Sequence, residues 1–522
     1  MPQASQTPAE GVYLGVDVGT SGCRTIAVDR AGRTIARADR PVSLMTPAPG
    51  HVEQDPNEWI TAALATIAEV CSSRAFDPWQ VAGIGVDGQS WACVPVDEAG
   101  NVLANTPIWM DTRAQAICDE TLSRVSAEEI LAVAGNRLSP SYSTAKMLWF
   151  ERHRPEVFER TRWFLQSNSA VVMALTGVAS QDHSQGYGWH FIDVATGRVN
   201  RQLADALGCD PSRVPQAVEP TVVVGGITAA AARQTGLRSG TPVVAGGLDA
   251  ACGTLGAGVL RPGQTQEQGG QAGGMSIALD APIADQRLIL SRHVVPGSWL
   301  LQGGTVAGSA SLAWLARVVG AAEQATADHS GRTLYEEISA LAATAPPGAD
   351  GLVFLPYLSG ERSPIWDADA RGAFFGLHLG IGRGHLYRAV MEGVAMALRH
   401  NLEVAVAAGA RVTELLATGG ASRSPLWMQI KSDVTGLPVV VTANPDATPL
   451  GAAMLAAIGT GGATATELTD TWVQRADRYT PDPLTGAAYD GLYSVYAGLY
   501  PALAPSMHAL AGLGRAGMEN PQ

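Results

Sequence analysis

Short apolar runs that end in glycine recur along the chain, and their order predicts its elements. Residues 12–39 read as three strands, Val12–Asp17, Cys23–Asp29 and Thr34–Asp39. The joints Gly19–Gly22 and Arg30–Arg33 are short and glycine-bearing, as hairpins require. Past His51–Trp59 the spacing predicts a helix over Ile60–Ser72, with Asp55 as its cap and Pro56 in its first turn. Val81–Asp87 is a buried strand that runs out into Gly88-Gln89-Ser90-Trp91-Ala92 before Cys93–Asp97 resumes the sheet. Residues 114–240 alternate helix patterns with turns. Thr241–Ala245 then leads through Gly246 and Gly247 to Asp249 and a run of small, helix-like residues.

Beyond Asp249 the opening design returns. Gln264–Gln268 reads as a strand, Gly269–Gly274 as the joint, Met275–Leu279 as the returning strand and Trp299–Gly304 as a third. This is an internal repeat in pattern, not in residue identity. Two like domains facing one another would leave a cleft lined by both glycine turns, a favoured ligand position. Leu352–Pro364 is a strand passing into a polar loop, Tyr387–Ala407 a long helix, and Leu415–Thr418 a strand that ends in Gly419 and Gly420. Pro438–Val441 and a helix over Ala447–Ala457 complete the pattern, and residues after about 470 read as a helical extension.

A chain of 522 residues is too long for one ordinary core, so two large domains are expected. Apolar residues at 46% and charged residues at 16% place it among globular proteins. Its apolar stretches are broken well short of a membrane span, and Met1–Glu10 has no signal pattern. Six scattered cysteines without CxxC pairs argue for reduced thiols, hence a cytoplasmic protein, and against structural zinc. A formal charge of −13 disfavours nucleic acid as partner. A phosphorylated ligand would have to be held by backbone amides and a metal rather than by a basic field.

Several stretches could carry chemistry, each with a plainer alternative. Asp17–Gly22 is either a hairpin or a loop turning N–H groups and hydroxyls toward an anion. Gln89, Ser90 and Trp91 suit a polyhydroxylated ligand, unless Trp91 serves only the core. Ile108–Arg113, with Asp111, again sets an aromatic ring among hydrogen-bonding groups. Lys146 either meets a ligand or snorkels from an amphipathic helix, the blander reading. Gln181–Gly186 is a polar loop, and Glu392 reads as a structural partner on its helix. Asp249 is either a helix cap or a carboxylate held at the mouth of a site. Gly419-Gly420 permits close approach of backbone to a ring or phosphate.

Taken in order and spacing, these residues resemble the FGGY carbohydrate kinases, within the superfamily of sugar kinases, actin and heat-shock chaperones. The resemblance covers about Tyr13–Gly459. It rests on Asp17–Ser21, Gly246–Ala251, Ser141–His153 with Lys146 and Trp149, Gly372–Leu377 with His385-Leu386 and Met391–Val394, and Gly419–Ser422. It implies two ribonuclease-H-like α/β domains of the actin/hexokinase type with an interdomain cleft. Residues 11–255 would bind sugar and carry the catalytic aspartate, 256–470 would bind nucleotide, and 471–522 would form the helical extension. It further implies ATP and Mg²⁺, with Asp249 as general base and Asp17 holding the metal through water. Gly19, Thr20, Ser21, Gly269, Gly270, Gly419, Gly420 and Ala421 would contact ATP, while Gln89, Ser90, Trp91, Asp111 and Asp249 would contact the sugar. Domain closure would expel water.

Two departures stand out. Xylulokinases usually carry a Met-His pair, and glycerol kinases an Arg-Glu pair, where this chain has Ser90-Trp91. The family commonly has Gly-Thr-Ser where this chain has Gly269-Gly270-Gln271. Length, Trp109–Arg113 and Pro356–Pro364 look closest to the xylulokinase-like branch. The expectation is therefore a kinase for a ketopentose such as D-xylulose, giving the 5-phosphate. Another polyol, an aldonate or a sensor without turnover are the alternatives, the last disfavoured by retention of both Asp17 and Asp249. The sequence gives no oligomeric state; a homodimer is the commonest closed assembly.

Overall fold

The computed structural model describes residues 11–519, so Met1–Glu10 lies outside the described residues. Two compact units divide the chain. The first runs to Arg261 and regains Ala278–Leu300 and Asp446–Gln474. The second comprises Pro262–Ile277, Leu301–Pro445 and the chain from Arg475 on.

The first unit is built on strands β1 (Val12–Val18), β2 (Gly22–Val28), β3 (Thr34–Pro41), β4 (Val81–Gly88), β5 (Val223–Gly226), β6 (Pro242–Val244) and β7 (Gly247–Leu248). Their order is β3-β2-β1-β4-β6-β5, with β7 also on β4. The β1-β2-β3 meander is antiparallel, β1 to β4 and β4 to β6 are parallel, and β6 to β5 is antiparallel. Along β1 and β4, large apolar residues alternate with glycine: Leu14, Gly15, Val16 beside Ile84, Gly85, Val86. The helix Pro56–Ser72 supplies Trp59, Ala63, Ile67 and Val70 to this core, each large side chain contributing roughly 1.5–3 kcal/mol of burial. It starts where the sequence predicts, with Asp55 accepting the Asn57 N–H at 2.9 Å.

Gly15 and Gly85 do the opposite job. A Cβ on either would overlap the carbonyl of Pro449 or Ala452, so the helix Ala447–Gly459 lies with its backbone directly on β1 and β4. That helix meets Asp249–Gly256 in the same way, Gly451 against the Cys252 carbonyl and Gly256 against that of Ala447. This packing draws residues 446–474 into the first unit, so a single cut near residue 255 does not describe the compact units.

The second unit repeats the scheme. Strands β8 (Gln264–Gly269), β9 (Gly273–Leu279), β10 (Trp299–Gly303), β11 (Glu414–Thr418), β12 (Val439–Thr442) and β13 (Arg475–Tyr479) follow the order β10-β9-β8-β11-β12-β13. Pairing is antiparallel for β8–β9, parallel for β8–β11 and β11–β12, and antiparallel for β12–β13. The repeat inferred from two glycine-turned meanders thus extends to six strands of each sheet. Beyond residue 470 the chain is not purely helical: β13 precedes the helix Pro483–Glu519. Arg-Ala-Asp-Arg-Tyr is charged and mostly exposed, an edge strand without apolar alternation to betray it. Glu392 is a structural partner, accepting from Arg388 at 2.7 Å, Tyr489 at 2.6 Å and the Gly348 N–H at 2.9 Å. Among the described residues no helix is long and apolar enough to cross a membrane.

Candidate active site

The turn into Asp249 is dictated by glycine. Gly246 has φ +78°, and a Cβ there would overlap the Val86 carbonyl of β4. The chain reverses against β4, pairs Gly247 with Asp87 and Leu248 with Gly88, and enters the helix Asp249–Gly256. Leu248 holds the cap position without a side-chain bond, so the cap reading of Asp249 gives way: it is the first helical residue. Its carboxylate accepts the Ala250 N–H at 2.6 Å. The polar loop Gln181–Gly186 braces this turn from behind. The Leu248 N–H donates to Ser184 Oγ at 2.9 Å, and Ser184 donates to Asp182 at 2.5 Å. Asn168 Nδ2 reaches both Asp182 and the Ala245 carbonyl.

Asp249 faces a charged neighbourhood. Burial, then the negative charge of Asp17, pushes its carboxyl up to about 7. Asp17, next to last in β1, stands in parallel register with Asp87, next to last in β4. Asp87 is 0% exposed, and neither of its oxygens receives a donor. Its carboxyl is held well above the usual range, by burial first and then by Asp17 and Asp249. Arg24, opposite Asp17 on β2, is drawn to Asp39 at 2.6 Å and Asp446 at 3.2 Å. Among the described residues no cluster of three side chains could enclose a metal. Mg²⁺, however, is commonly held by one or two carboxylates together with water and substrate phosphate. Partly open Asp17 and unpartnered Asp87 fit such an ion.

The loop after β1 is tied to the loop after β4. The Gly19 N–H closes its own turn on the Gly22 carbonyl at 3.0 Å. Thr20 Oγ1 donates to Gln89 Oε1 at 3.1 Å and accepts from Trp109 Nε1 at 2.9 Å. Gln89 Nε2 donates to Gln54 Oε1 at 2.7 Å, and Gln54 Nε2 donates to the Thr20 carbonyl at 2.8 Å. The Gly19 amide and the Thr20 hydroxyl proton are therefore committed within the unit, while Ser21 is exposed. Nothing in the sequence pattern marks Gln54, since its role depends on two loops meeting.

Three further residues differ from expectation. Lys146 does not snorkel. It is fully buried, burial lowers its ammonium to about 7, and Nζ donates to the Trp91 carbonyl at 2.8 Å. That bond holds Trp91 at φ +60°, a conformation bulky residues rarely adopt. The Trp91 ring is packed 4.2 Å from Tyr142 and 5.6 Å from Tyr187, which leaves Ser90 as the more open residue of the loop. Asp111 is 0% exposed and saturated by Arg113, the Arg113 N–H and the Val52 N–H. Its carboxylate fixes the Trp109–Arg113 turn and is not offered to a ligand.

In the second unit the two predicted glycine turns touch. A Cβ on Gly419, at φ +86°, would meet Gly269, and one on Gly269 would meet Ala421. The Ser309 and Ala310 N–H groups, opening the helix Ser309–Val319, donate to the carbonyls of Gly270 and Gln271 at 3.0 and 3.1 Å. Ser309 Oγ donates to the Gly269 carbonyl at 3.1 Å. Glu361, within Pro356–Pro364, accepts from Thr305 Oγ1 at 2.5 Å and the Val306 N–H at 2.9 Å. It braces the approach to that helix.

Known proteins share this arrangement. The N-terminal domain model of the FGGY carbohydrate kinases matches residues 12–256, and the C-terminal domain model matches 278–460. A xylulose kinase of Bacillus subtilis is 30% identical over 490 residues, spanning 93% of this chain and 96% of the relative. The solved xylulose kinase of Rhodospirillum rubrum is 36% identical with a TM-score of 0.85, over 95% of this chain and 100% of that one. A ligand-bound xylulose kinase of Lactobacillus acidophilus is 25% identical with a TM-score of 0.88, over 96% and 100%. With both domain models matched in order, and Asp17 and Asp249 at the loop ends where the fold presents them, the chain belongs to the FGGY family of carbohydrate kinases.

Proposed function

We propose that this carbohydrate kinase transfers the γ-phosphoryl group of ATP to a hydroxyl of a ketopentose such as D-xylulose, giving the 5-phosphate. The observation that carries the reading is Asp249, a partly open carboxylate at a strand-to-helix turn whose proton affinity is raised to about 7. A base of that strength is matched to neutral pH. The sugar oxygen forms a bond to the γ-phosphorus as the bond to the bridging oxygen breaks, and ADP leaves. The hydroxyl proton passes to the Asp249 carboxylate. Asp182, Ser184 and Asn168 keep that carboxylate's turn in place. Asp17 would hold Mg²⁺, which when bound neutralises charge on the phosphates. Ser21 of the first unit, and Gly269, Gly270, Gly419, Gly420 and Ala421 of the second, are the proposed contacts for the nucleotide. With Gly269-Gly270-Gln271 in that turn, backbone amides or the Gln271 side chain do the holding. Six free, buried cysteines accord with a reducing, cytoplasmic setting.

A second substrate reading has its own observation. The side chain of Trp91 packs at a tilt against Tyr142 and Tyr187, so no imidazole of the Met-His kind is offered. Ser90, whose Oγ accepts from Tyr187 at 2.8 Å, takes its place at the loop surface. A pentitol, tetritol or aldonate would suit it. Coupled ADP-release assays over ketoses, alditols and aldonates decide between the readings. D-Xylulose with the highest kcat/KM supports the first, and a panel with no turnover sinks both.

A further inference from the structure

Asp87 is a fully buried carboxyl group that receives no donor from the protein. Both of its oxygens lack one, and its register partner on the neighbouring strand is Asp17. An isolated buried carboxylate is expensive, so it either holds a proton or is paired with a cation. The cation that could do so from the protein, Arg24, is committed to Asp39 and Asp446. Nearby Asp249 and Asp446 add negative charge rather than relieve it. The pair is also rigidly presented. Asp17 and Asp87 are register partners on adjacent parallel strands, so both carboxylates leave the same sheet face. Gly88, after Asp87, packs on Ser167 and Asn168 with no room for a side chain, and the Gln89 N–H donates to the Val18 carbonyl at 3.0 Å. The strand ends cannot drift apart.

We propose that Asp17 and Asp87 together, rather than Asp17 alone, form the divalent-cation unit of this protein. Asp87 backs Asp17 with a second carboxyl group on the same sheet face. This rests on the kinase reading for its purpose but not for its test. Mn²⁺ serves as the probe, titrated into the full-length protein without nucleotide and followed by water-proton relaxation. The wild type takes up one Mn²⁺, and Asp87→Asn weakens the affinity at least tenfold, as does Asp17→Asn; supporting ligands commonly carry effects of about 10–100-fold. Thermal melting supplies a second readout. Asp87→Asn melts higher than wild type in the absence of divalent cation, because its amide can donate to Asp17 where the buried carboxyl has no partner, and loses the rise that Mg²⁺ gives the wild type. A residue with a purely structural role would melt lower in both conditions. If Asp87→Asn does not fold, Asp87→Ser serves for both measurements. Mn²⁺ affinity within twofold of wild type for the Asp87 variant, or a wild type that binds no Mn²⁺ in the millimolar range, overturns the proposal. Absence of turnover on every sugar would instead fall on the kinase reading and leave the Mn²⁺ result standing.

Discussion

The hydroxyl of Thr20 donates to the side-chain oxygen of Gln89 at 3.1 Å, so the loop after β1 and the loop after β4 share one proton. Thr20 belongs to the turn expected to meet phosphate, and Gln89 to the loop expected to meet sugar. Thr20→Val should therefore disturb both substrates, raising KM for sugar as well as for ATP. A double-mutant cycle with Gln89→Ala should show coupling of about 1 kcal/mol, the scale of one hydrogen bond. Strictly additive effects on kcat/KM would show that the loops act independently.

Asp249→Asn should lower kcat by about 10²–10⁴-fold, the range for a positioned general base. It should also stabilise the protein above neutral pH. The folded carboxyl titrates near 7 against an ordinary value of 3.8, so the folded state holds the extra proton between those values. The stability linked to that proton is complete below about pH 4 and lost as pH rises through 7. Melting curves at pH 8 should place the variant above wild type by about 1–2 kcal/mol, with the difference shrinking toward pH 4.

Lys146 gives a slope of the opposite sign. Its folded ammonium titrates near 7 and its unfolded one near 10.5, so between these values the unfolded chain binds more protons. Wild-type stability therefore rises with pH across that window. Lys146→Met should lack that component of the slope while keeping the stem's packing. Freed from its bond to the Trp91 carbonyl, the loop should bind sugar about tenfold more weakly, by analogy with second-layer supports elsewhere. An unchanged KM would mean that the left-handed Trp91 stands without the lysine.

Gly85→Ala should destabilise the protein by about 3 kcal/mol or more, since its Cβ would overlap the Ala452 carbonyl and neither strand nor helix can give way. Circular dichroism melts check this directly. A loss below about 1 kcal/mol would show that the helix Ala447–Gly459 can ride up off the sheet.

Local chemistry was the legible part of this molecule. Glycine turns, the strands they close and the helix capped by Asp55 all follow from near neighbours in sequence. So did the position of Asp249, because the turn at Gly246 needs a left-handed glycine wherever the strand leads. Asp111 and Lys146 were misread for a common reason. Lys146 donates to the Trp91 carbonyl, 55 residues away, and Asp111 is closed by Arg113 two residues on and by the Val52 N–H 59 residues away; periodicity does not reveal which group is already satisfied. Asp87 was missed because an acid closing an apolar strand looks like an edge marker until the register places Asp17 beside it. The return of residues 446–474 was hidden because alanine and glycine at a backbone contact carry no strong apolar signal.

The seat of the helix Ala447–Gly459 on Gly15 and Gly85 also orders events in time. These strands are among the first parts of the chain to leave a ribosome, and the helix that covers their glycine face is among the last. Until about 85% of the polypeptide exists, that face is open to water and to other chains, and the helix of Asp249 lacks its neighbour. A fragment ending near residue 260 contains every carboxylate of the proposed chemistry and still lacks the surface on which they are built. The catalytic half of this protein is complete only when nearly all of it is.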